Sequence, residues 1–523
     1  MSHPVIPAPV RFDGADGKFA LRAGTTVGYS APGVAPVVER FCSEITRRTG
    51  LRLAHVAGDP GPGEPSVMVE LVAGDELAAL PRPAGISPAG DGPADERHSL
   101  AVDTGRLVVR AAEPVGIARG LTTLTQLLAT AQDRKAREVL LPGARILDAP
   151  RYAWRGLSLD LARAFFTLDE VRRVIDLLAL YKLNVLHLHL TDDQSWRLPV
   201  GRQAQSAGPD DTFYRAEDLR ALAAYAADRF VTVVPEVDTP GHTTALMHLH
   251  PELNTGRNEV ERPGHPHRAV WLDPELPATF ELIEEVMNGV AEIFPSRYIH
   301  IGGDEPWGMP HDLYASYVAR VRDIVRSIGK RPLGWQESAR AGLGADDIIQ
   351  FWLPHIALPA SLPPGFRAQM AADLANSRRD VETTVAASVP VIVSPLTHCY
   401  LDVPYAEPPD DPAQADRQNR TGLRLYSPRT VAESFGWEPA EALGDDRSAQ
   451  VTGVEAAIWA ETISEFDDLS FLLLPRLPGI AHKAWSGPEA ATWTDHRDRL
   501  ARHGRLWAED GLTYFRTSTV DWL

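Results

Sequence analysis

A chain of 523 residues, 44% hydrophobic and 23% charged, has ordinary globular usage, which excludes wholesale disorder and fibrous repeats; at ~150 residues per domain it holds about three domains, or fewer if one is a large barrel. Its 52 Lys and Arg against 70 Asp and Glu leave a net charge of −18, and no basic cluster interrupts that acidity, so a phosphate-backbone footprint is missing and nucleic acid is excluded as a partner. Cys42 and Cys399 stand far apart without metal-ligand spacing, which predicts reduced thiols and neither a disulfide framework nor a zinc knuckle.

The opening stretch MSHPVIPAPVRFDG lacks a basic region followed by an apolar one, and this predicts a cytoplasmic protein without a secretory leader. Residues 1–148 read as a small α+β domain. Strand-like runs occupy Ser66–Val72, His98–Val102 and Arg106–Ala111, with helical stretches near Val37–Thr49 and Gly116–Ala129. Between them lie Gly- and Pro-rich loops such as AGDPGPGEPS, which break regular structure.

After Pro150 the rhythm changes to short apolar runs separated by amphipathic stretches, the alternation of βα units. Eight runs follow: Gly156–Asp160, Asn184–Leu190, Val231–Val237, Tyr298–Gly302, Pro332–Gln336, Ile348–Trp352, Pro390–Ser394 and Thr452–Trp459. Thr167 and Glu170 have capping-box spacing, and Val171, Val174, Ile175, Leu178 and Tyr181 repeat at helical period behind them. The fold class is therefore α/β, a (β/α)8 TIM barrel over residues 149–486 preceded by the small α+β domain, with a C-terminal helical segment, 487–523, packed on the barrel. An open doubly wound sheet is the alternative on pattern alone. The most apolar window, Val174–Leu190, contains Asp176, Lys182 and Asn184 and falls short of the ~18 uninterrupted apolar residues of a membrane span.

In a barrel of this type, the site lies where the strands end. The fourth run, YIHIGGDE at Tyr298–Glu305, ends in two glycines and two adjacent carboxylates. Side chains alternate faces along a strand, so Asp304 and Glu305 converge on one ligand only if the chain turns at once, as Gly302 and Gly303 permit. Two carboxyls forced together differ in pKa, which suits a general acid beside a lasting anion; a solvated loop or a metal site is the plainer reading of the pair taken alone. Other runs lead to Asp160 and Arg163, Asp192 and Asp193, Asp238 and His242, Tyr400 and Asp402, and Glu461. Trp335, Trp352 and Trp459 fall at the same rim, and indoles beside carboxylates suit a sugar, whose C–H faces pack on aromatic rings while its hydroxyls need polar partners. His187 and His189 face one way and could bind zinc as in an amidohydrolase barrel; barrel interior and indirect support is the favoured role, and no metal or organic cofactor is expected.

HIGGDE at His300–Glu305, RGLSLDLARAFF at Arg155–Phe166, HLTDDQSWR at His189–Arg197, VVPEVDTPGH at Val233–His242 and GVEAAIWAE at Gly453–Glu461 together resemble the family 20 glycoside hydrolases, the β-N-acetylhexosaminidases. The resemblance spans the α+β domain and the whole barrel. It implies an exo-acting, retaining enzyme that removes terminal β-linked N-acetylglucosamine or N-acetylgalactosamine, with the substrate supplying its own nucleophile. Matched to the family, Glu305 is the general acid/base, Asp304 holds the acetamido N–H and Tyr400 its oxygen. Trp335, Trp352 and Trp459 wall the pocket, while Arg163, Asp402 and Glu461 bind hydroxyls. Asp192, Asp238, His242 and His300 support the acid and the substrate. Partners implied are N-acetylhexosamine-containing oligosaccharides or glycoconjugates, with neither nucleic acid nor membrane, for a monomer or homodimer.

Three departures stand out. Ala164 replaces a common His, Phe230 a common Gly, and the loop from Asp402 to Tyr426 lacks the Trp that many members offer to the next sugar. The rival readings are a catalytically silent sugar-binding barrel, which would be expected to have lost the acid, and a disaccharide-releasing or sulfated-sugar enzyme of the same fold, marked by a deeper pocket or an added basic residue.

Overall fold

The eight apolar runs close on themselves. In the computed structural model, which describes residues 3–523 apart from 62–64, 91, 93, 132–133, 136–137, 201–211, 262–267, 357, 359–363 and 445–449, they form parallel strands at Trp154–Asp160, Val185–His189, Thr232–Glu236, Tyr298–His300, Arg331–Trp335, Ile348–Phe351, Val391–Val393 and Val451–Ile458. The eighth pairs with the first, so the sheet is a closed barrel in sequence order and not an open doubly wound one. Both faces of such a sheet are covered, which is why the runs are almost continuously apolar. The helix after the first strand, Leu168–Leu180, starts at the expected capping box: Thr167 accepts from the Glu170 backbone N–H while the Glu170 side chain reaches back. It buries Val171, Val174, Ile175 and Leu178 against the barrel.

The N-terminal domain is an eight-stranded mixed sheet under two helices, Ala35–Thr49 and Pro114–Ala129. It holds more strands than the three its apolar runs suggest. Arg11–Arg22 is an edge strand with half of its residues exposed and only two buried, and its register slips between Gly14 and Lys18. An edge of that kind carries charge and irregularity in place of an apolar run, so hydrophobicity does not reveal it. Phe230, at the position where Gly is common, adopts φ +55°, and its carbonyl accepts from Arg119 of the N-terminal domain.

This domain docks on the end of the barrel where the strands begin. There Glu96 accepts from Arg119 at 2.7 Å and from Arg155 at 2.7 and 2.9 Å, and Lys182 lies 2.6 Å from Asp148. All these side chains are buried. The C-terminal helix Trp493–Glu509 is fixed to the barrel through Tyr181, which takes the Trp507 indole N–H and meets His503, each at 2.8 Å. These contacts lie away from the opposite end of the barrel, where the strands finish; there the loop after the seventh strand is tied to the C-terminal segment through Glu407–Thr517 at 3.0 Å and Asp410–Arg516 at 3.2 Å. Among the described residues no helix is long and apolar enough to cross a membrane.

Candidate active site

The fourth strand stops at His300, and the next residues turn sharply. Gly302 and Gly303 have φ +69° and +103°, and a Cβ on Gly302 would stand 1.8 Å from Asp238 Oδ1. Only glycine allows Asp238, at the end of the third strand, to come this close, and Asp238 Oδ1 in turn accepts from the Gly303 N–H at 3.2 Å. The turn delivers Asp304 and Glu305 side by side to the mouth of the barrel. Both meet one atom: His242 Nε2 is 3.6 Å from Asp304 and 3.8 Å from Glu305.

His242 is held from behind by Asp192, 3.3 Å from its Nδ1. The other oxygen of Asp192 is engaged by Arg163 at 2.7 Å and by His189 Nε2 at 2.9 Å. Although burial opposes charge on both, Asp192, Asp238 and Asp304 hold His242 well above the ordinary imidazole range, and Arg163 and His242 hold Asp192 well below the ordinary carboxylate range. The pair is imidazolium and carboxylate. Asp304 behaves differently: burial, with Glu236 and Glu305 adding repulsion against the attraction of His242, pushes it up to about 6. Burial and Asp304 push Asp238 well above its usual range. Neither Asp304 Oδ1 nor Asp238 Oδ2 finds a donor among the described residues; a buried acceptor without a partner is costly unless a ligand supplies the donor.

Beneath this layer lies a network that the sequence did not reveal. Glu236 and Glu455 point into the barrel. Glu236 meets His189 at 2.6 Å and His300 at 2.9 Å, and accepts from the Trp335 indole at 2.8 Å. Glu455 meets His187 at 2.8 Å and accepts from Trp154 at 2.7 Å. Gly156 makes room for it, since a Cβ there would lie 2.3 Å from Glu455 Oε2. Thus His187, His189 and His300 are barrel interior: they fix Glu236, which orients Trp335, and Glu455, and His189 itself meets Asp192.

The aromatic residues form a connected wall. Trp335 is buried and meets Trp459 at 6.0 Å; Trp459 meets Tyr400 at 5.9 Å; Tyr400 lies parallel to Trp352, 10° apart at 6.3 Å. Arg163 is tied to Asp160 at 3.3 Å, to Asp192, and to Gln194 at 3.0 Å, and lies over the Trp459 ring at 5.4 Å. Asp402 Oδ1 accepts from the Trp459 backbone at 3.4 Å, and its Oδ2 has no donor among the described residues; burial and Glu461 push Asp402 well above its usual range. The thirteen residues given roles by the family resemblance gather at this end of the barrel, with His300 and Trp335 beneath the rest. Three more belong beside them: Trp307, whose indole donates to Glu305 at 3.2 Å, Tyr426, whose ring meets Tyr400 at 6.0 Å, and Glu337, which accepts from the Trp352 indole at 3.1 Å. Of the two tyrosines in the loop that lacks a Trp, Tyr426 meets the site, while Tyr405 stacks on Phe515.

A family description, "Glycosyl hydrolase family 20, catalytic domain", matches residues 152–488, and "Glycosyl hydrolase family 20, domain 2" matches residues 2–149. The chain belongs to glycoside hydrolase family 20. It is similar to a β-N-acetylhexosaminidase of Cellulomonas fimi, 33% identical over 99% of this chain and 97% of that one. Its fold is similar to that of the Streptomyces plicatus N-acetyl-β-hexosaminidase solved with Thio-NAglucal, with a TM-score of 0.81 and 30% identity over 99% and 98% of the two chains. A Streptomyces coelicolor family 20 β-N-acetylhexosaminidase is equally similar, at a TM-score of 0.81 and 30% identity over 99% of both chains. The enzyme is thus a glycoside hydrolase of the β-hexosaminidase kind.

Proposed function

We propose that the enzyme removes terminal β-linked N-acetylglucosamine or N-acetylgalactosamine from oligosaccharides or glycoconjugates, with retention, using the substrate's acetamido oxygen as the nucleophile. The observation that carries this reading is the placement of Asp304 and Glu305 on one side of the pocket, both beside His242 Nε2. A retaining glycosidase with its own nucleophile needs carboxyls about 5 to 5.5 Å apart across the sugar, and consecutive residues sharing one imidazole do not straddle a ring. A mutant of the S. plicatus enzyme was solved in complex with N-acetylglucosamine as product, which supports the choice of sugar.

In this mechanism Asp304, as a carboxylate, accepts the acetamido N–H, and the Tyr400 hydroxyl donates to the acetamido oxygen. That oxygen attacks C1 as the C1–O bond to the leaving group breaks, and Glu305 gives its proton to the departing oxygen. The product of the step is an oxazolinium ion. Water then attacks C1, Glu305 takes its proton, the ring opens to restore the acetamide, and the β configuration is kept. Trp335, Trp352 and Trp459 enclose the methyl and the sugar face, with Arg163, Asp402 and Glu461 at the hydroxyls. Asp192, Asp238, His242 and His300 act as positioning residues. Prepaid orientation favours such an internal attack.

Stepwise fluorination of the N-acetyl methyl tests the reading, because fluorine withdraws electrons from the attacking oxygen. The rate on p-nitrophenyl glycosides falls with each fluorine if the mechanism is right. Equal rates across the series, or a covalent sugar trapped on a protein carboxylate, would overturn it.

A further inference from the structure

Beside the acid lies a second cavity, of about 240 Å³, that opens on Glu305 and shares Trp352 with the aromatic wall. Its walls include Glu305, Trp307 and Trp352, and one face of the helix Pro364–Ala387 that presents Gln369, Asp373 and Asn376. This is the composition of a sugar site: ring faces for C–H surfaces, with carboxylate and amide groups between them. Trp307 joins the two chambers, since its indole donates to Glu305 at 3.2 Å while its ring lines the cavity. Gln369 donates to Asp373 Oδ1 at 3.2 Å, which leaves Oδ2 to meet a ligand donor.

We propose that this cavity seats the leaving sugar, and that Asp373 selects a neutral or amine-bearing residue there while discriminating against a uronic acid. The inference rests on the reading of Glu305 as the proton donor: the oxygen it protonates belongs to the leaving group, so that group must lie on the Glu305 side of the cleavage point, where this cavity is. Its charge gives the selectivity. Among the described residues, Glu305, Glu337 and Asp373 line it together with the guanidinium of Arg340 and the imidazole of His311, and Arg340 is already held by Asp380 at 2.7 Å. Burial first, and Glu305 after it, push the Asp373 carboxyl up to about 6, as expected of a carboxyl in a partly desolvated space with a like charge beside it. A further carboxylate placed there meets like charge in a partly desolvated space, whereas a hydroxyl or an ammonium gains an acceptor. The Asp402–Tyr426 loop is not needed for this role, because the aromatic platform comes from Trp307, two residues after the acid.

The test compares two disaccharides with the same terminal sugar on the full-length enzyme, N-acetylglucosaminyl-β-1,4-N-acetylglucosamine and N-acetylglucosaminyl-β-1,4-glucuronic acid, with p-nitrophenyl N-acetylglucosaminide as reference. The neutral disaccharide is expected to exceed the uronate in kcat/KM by roughly tenfold or more, and Asp373→Asn to shrink that ratio several-fold. If the variant does not fold, salt gives the second readout on the native enzyme: an electrostatic preference narrows as ionic strength rises from ~0.01 to ~0.5 M. Equal kcat/KM on the two disaccharides, or a ratio that neither Asp373→Asn nor salt alters, overturns the subsite while leaving the proposed reaction intact. Failure to release p-nitrophenol at all overturns the reaction and the subsite with it.

Discussion

His242 Nε2 stands 3.6 Å from Asp304 and 3.8 Å from Glu305, while its Nδ1 stands 3.3 Å from Asp192. One imidazolium is thus shared among three carboxyl groups, and its charge restrains the rise that burial imposes on Asp304. Asp304 must be ionised to accept the acetamido N–H. Its carboxyl, at about 6, is protonated below that value, so kcat/KM is expected to fall as pH drops through about 6 and to be restored above it. Replacing His242 by Gln removes the attraction, raises the Asp304 pKa further and moves that acidic limb to higher pH, with a loss of roughly tenfold at pH 5 beyond the loss near pH 8. A pH profile of kcat/KM for both proteins decides it; an unmoved limb would detach His242 from Asp304.

The acid is tested through its leaving group. A positioned proton donor contributes roughly 10²- to 10⁴-fold, and most where the departing oxygen is basic. Glu305→Gln keeps the Trp307 contact sterically possible but has no proton to give. Its loss on an N-acetylglucosamine disaccharide should therefore exceed its loss on the p-nitrophenyl glycoside by about tenfold or more. Equal losses on the two substrates would remove Glu305 from that role.

Much of this molecule was legible because its barrel strands are buried on both faces. Runs such as Val231–Val237 and Thr452–Trp459 announce themselves by apolar continuity, and the glycines of the fourth strand mark the turn that brings Asp304 forward. What stayed hidden depends on partners distant in sequence. Glu236 and Glu455 sit within apolar runs with nothing local to say whether they face solvent or the interior; their meaning comes from His187, His189, His300 and Trp335 on other strands. Trp307 follows the acid by two residues, yet its role becomes visible only when the helix at Asp373 is placed across from it. The edge strand Arg11–Arg22 was hidden for the opposite reason, being too exposed to show a pattern.

The seam between the two domains offers a test of stability separate from catalysis. Glu96 is buried and compensates two buried arginines, Arg119 and Arg155. Removing one partner of such a group leaves uncompensated charge, at a cost of ~3–5 kcal/mol. Glu96→Gln is expected to lower the urea midpoint accordingly while leaving kcat/KM at 25 °C unchanged, because the seam lies where the barrel strands begin and the site where they end. A parent-like midpoint would show that the arginines find other partners, and a loss of activity without a loss of stability would show that the seam reaches the site.

Arg163 joins substrate recognition to the placement of the acid. Its guanidinium engages Asp192 at 2.7 Å, Asp160 at 3.3 Å and Gln194 at 3.0 Å, and lies over Trp459. Asp192 in turn holds His242, and His242 faces Asp304 and Glu305. Lysine keeps the charge but offers a point donor in place of a planar fork, so it can satisfy one of these carboxylates and not both. Two consequences separate this arrangement from a simple hydroxyl ligand. Arg163→Lys should raise KM, because the sugar loses a directed contact, and should also lower kcat, because Asp192 no longer fixes the imidazolium beside the acid. Together they amount to roughly a hundredfold or more in kcat/KM, the scale of one lost charged contact and one misplaced catalytic neighbour. The unfolding midpoint should change little, since Arg163 lies at the rim and not in the core. A variant with raised KM and parent kcat would reduce Arg163 to a substrate ligand, and one with parent kinetics would exclude it from both roles.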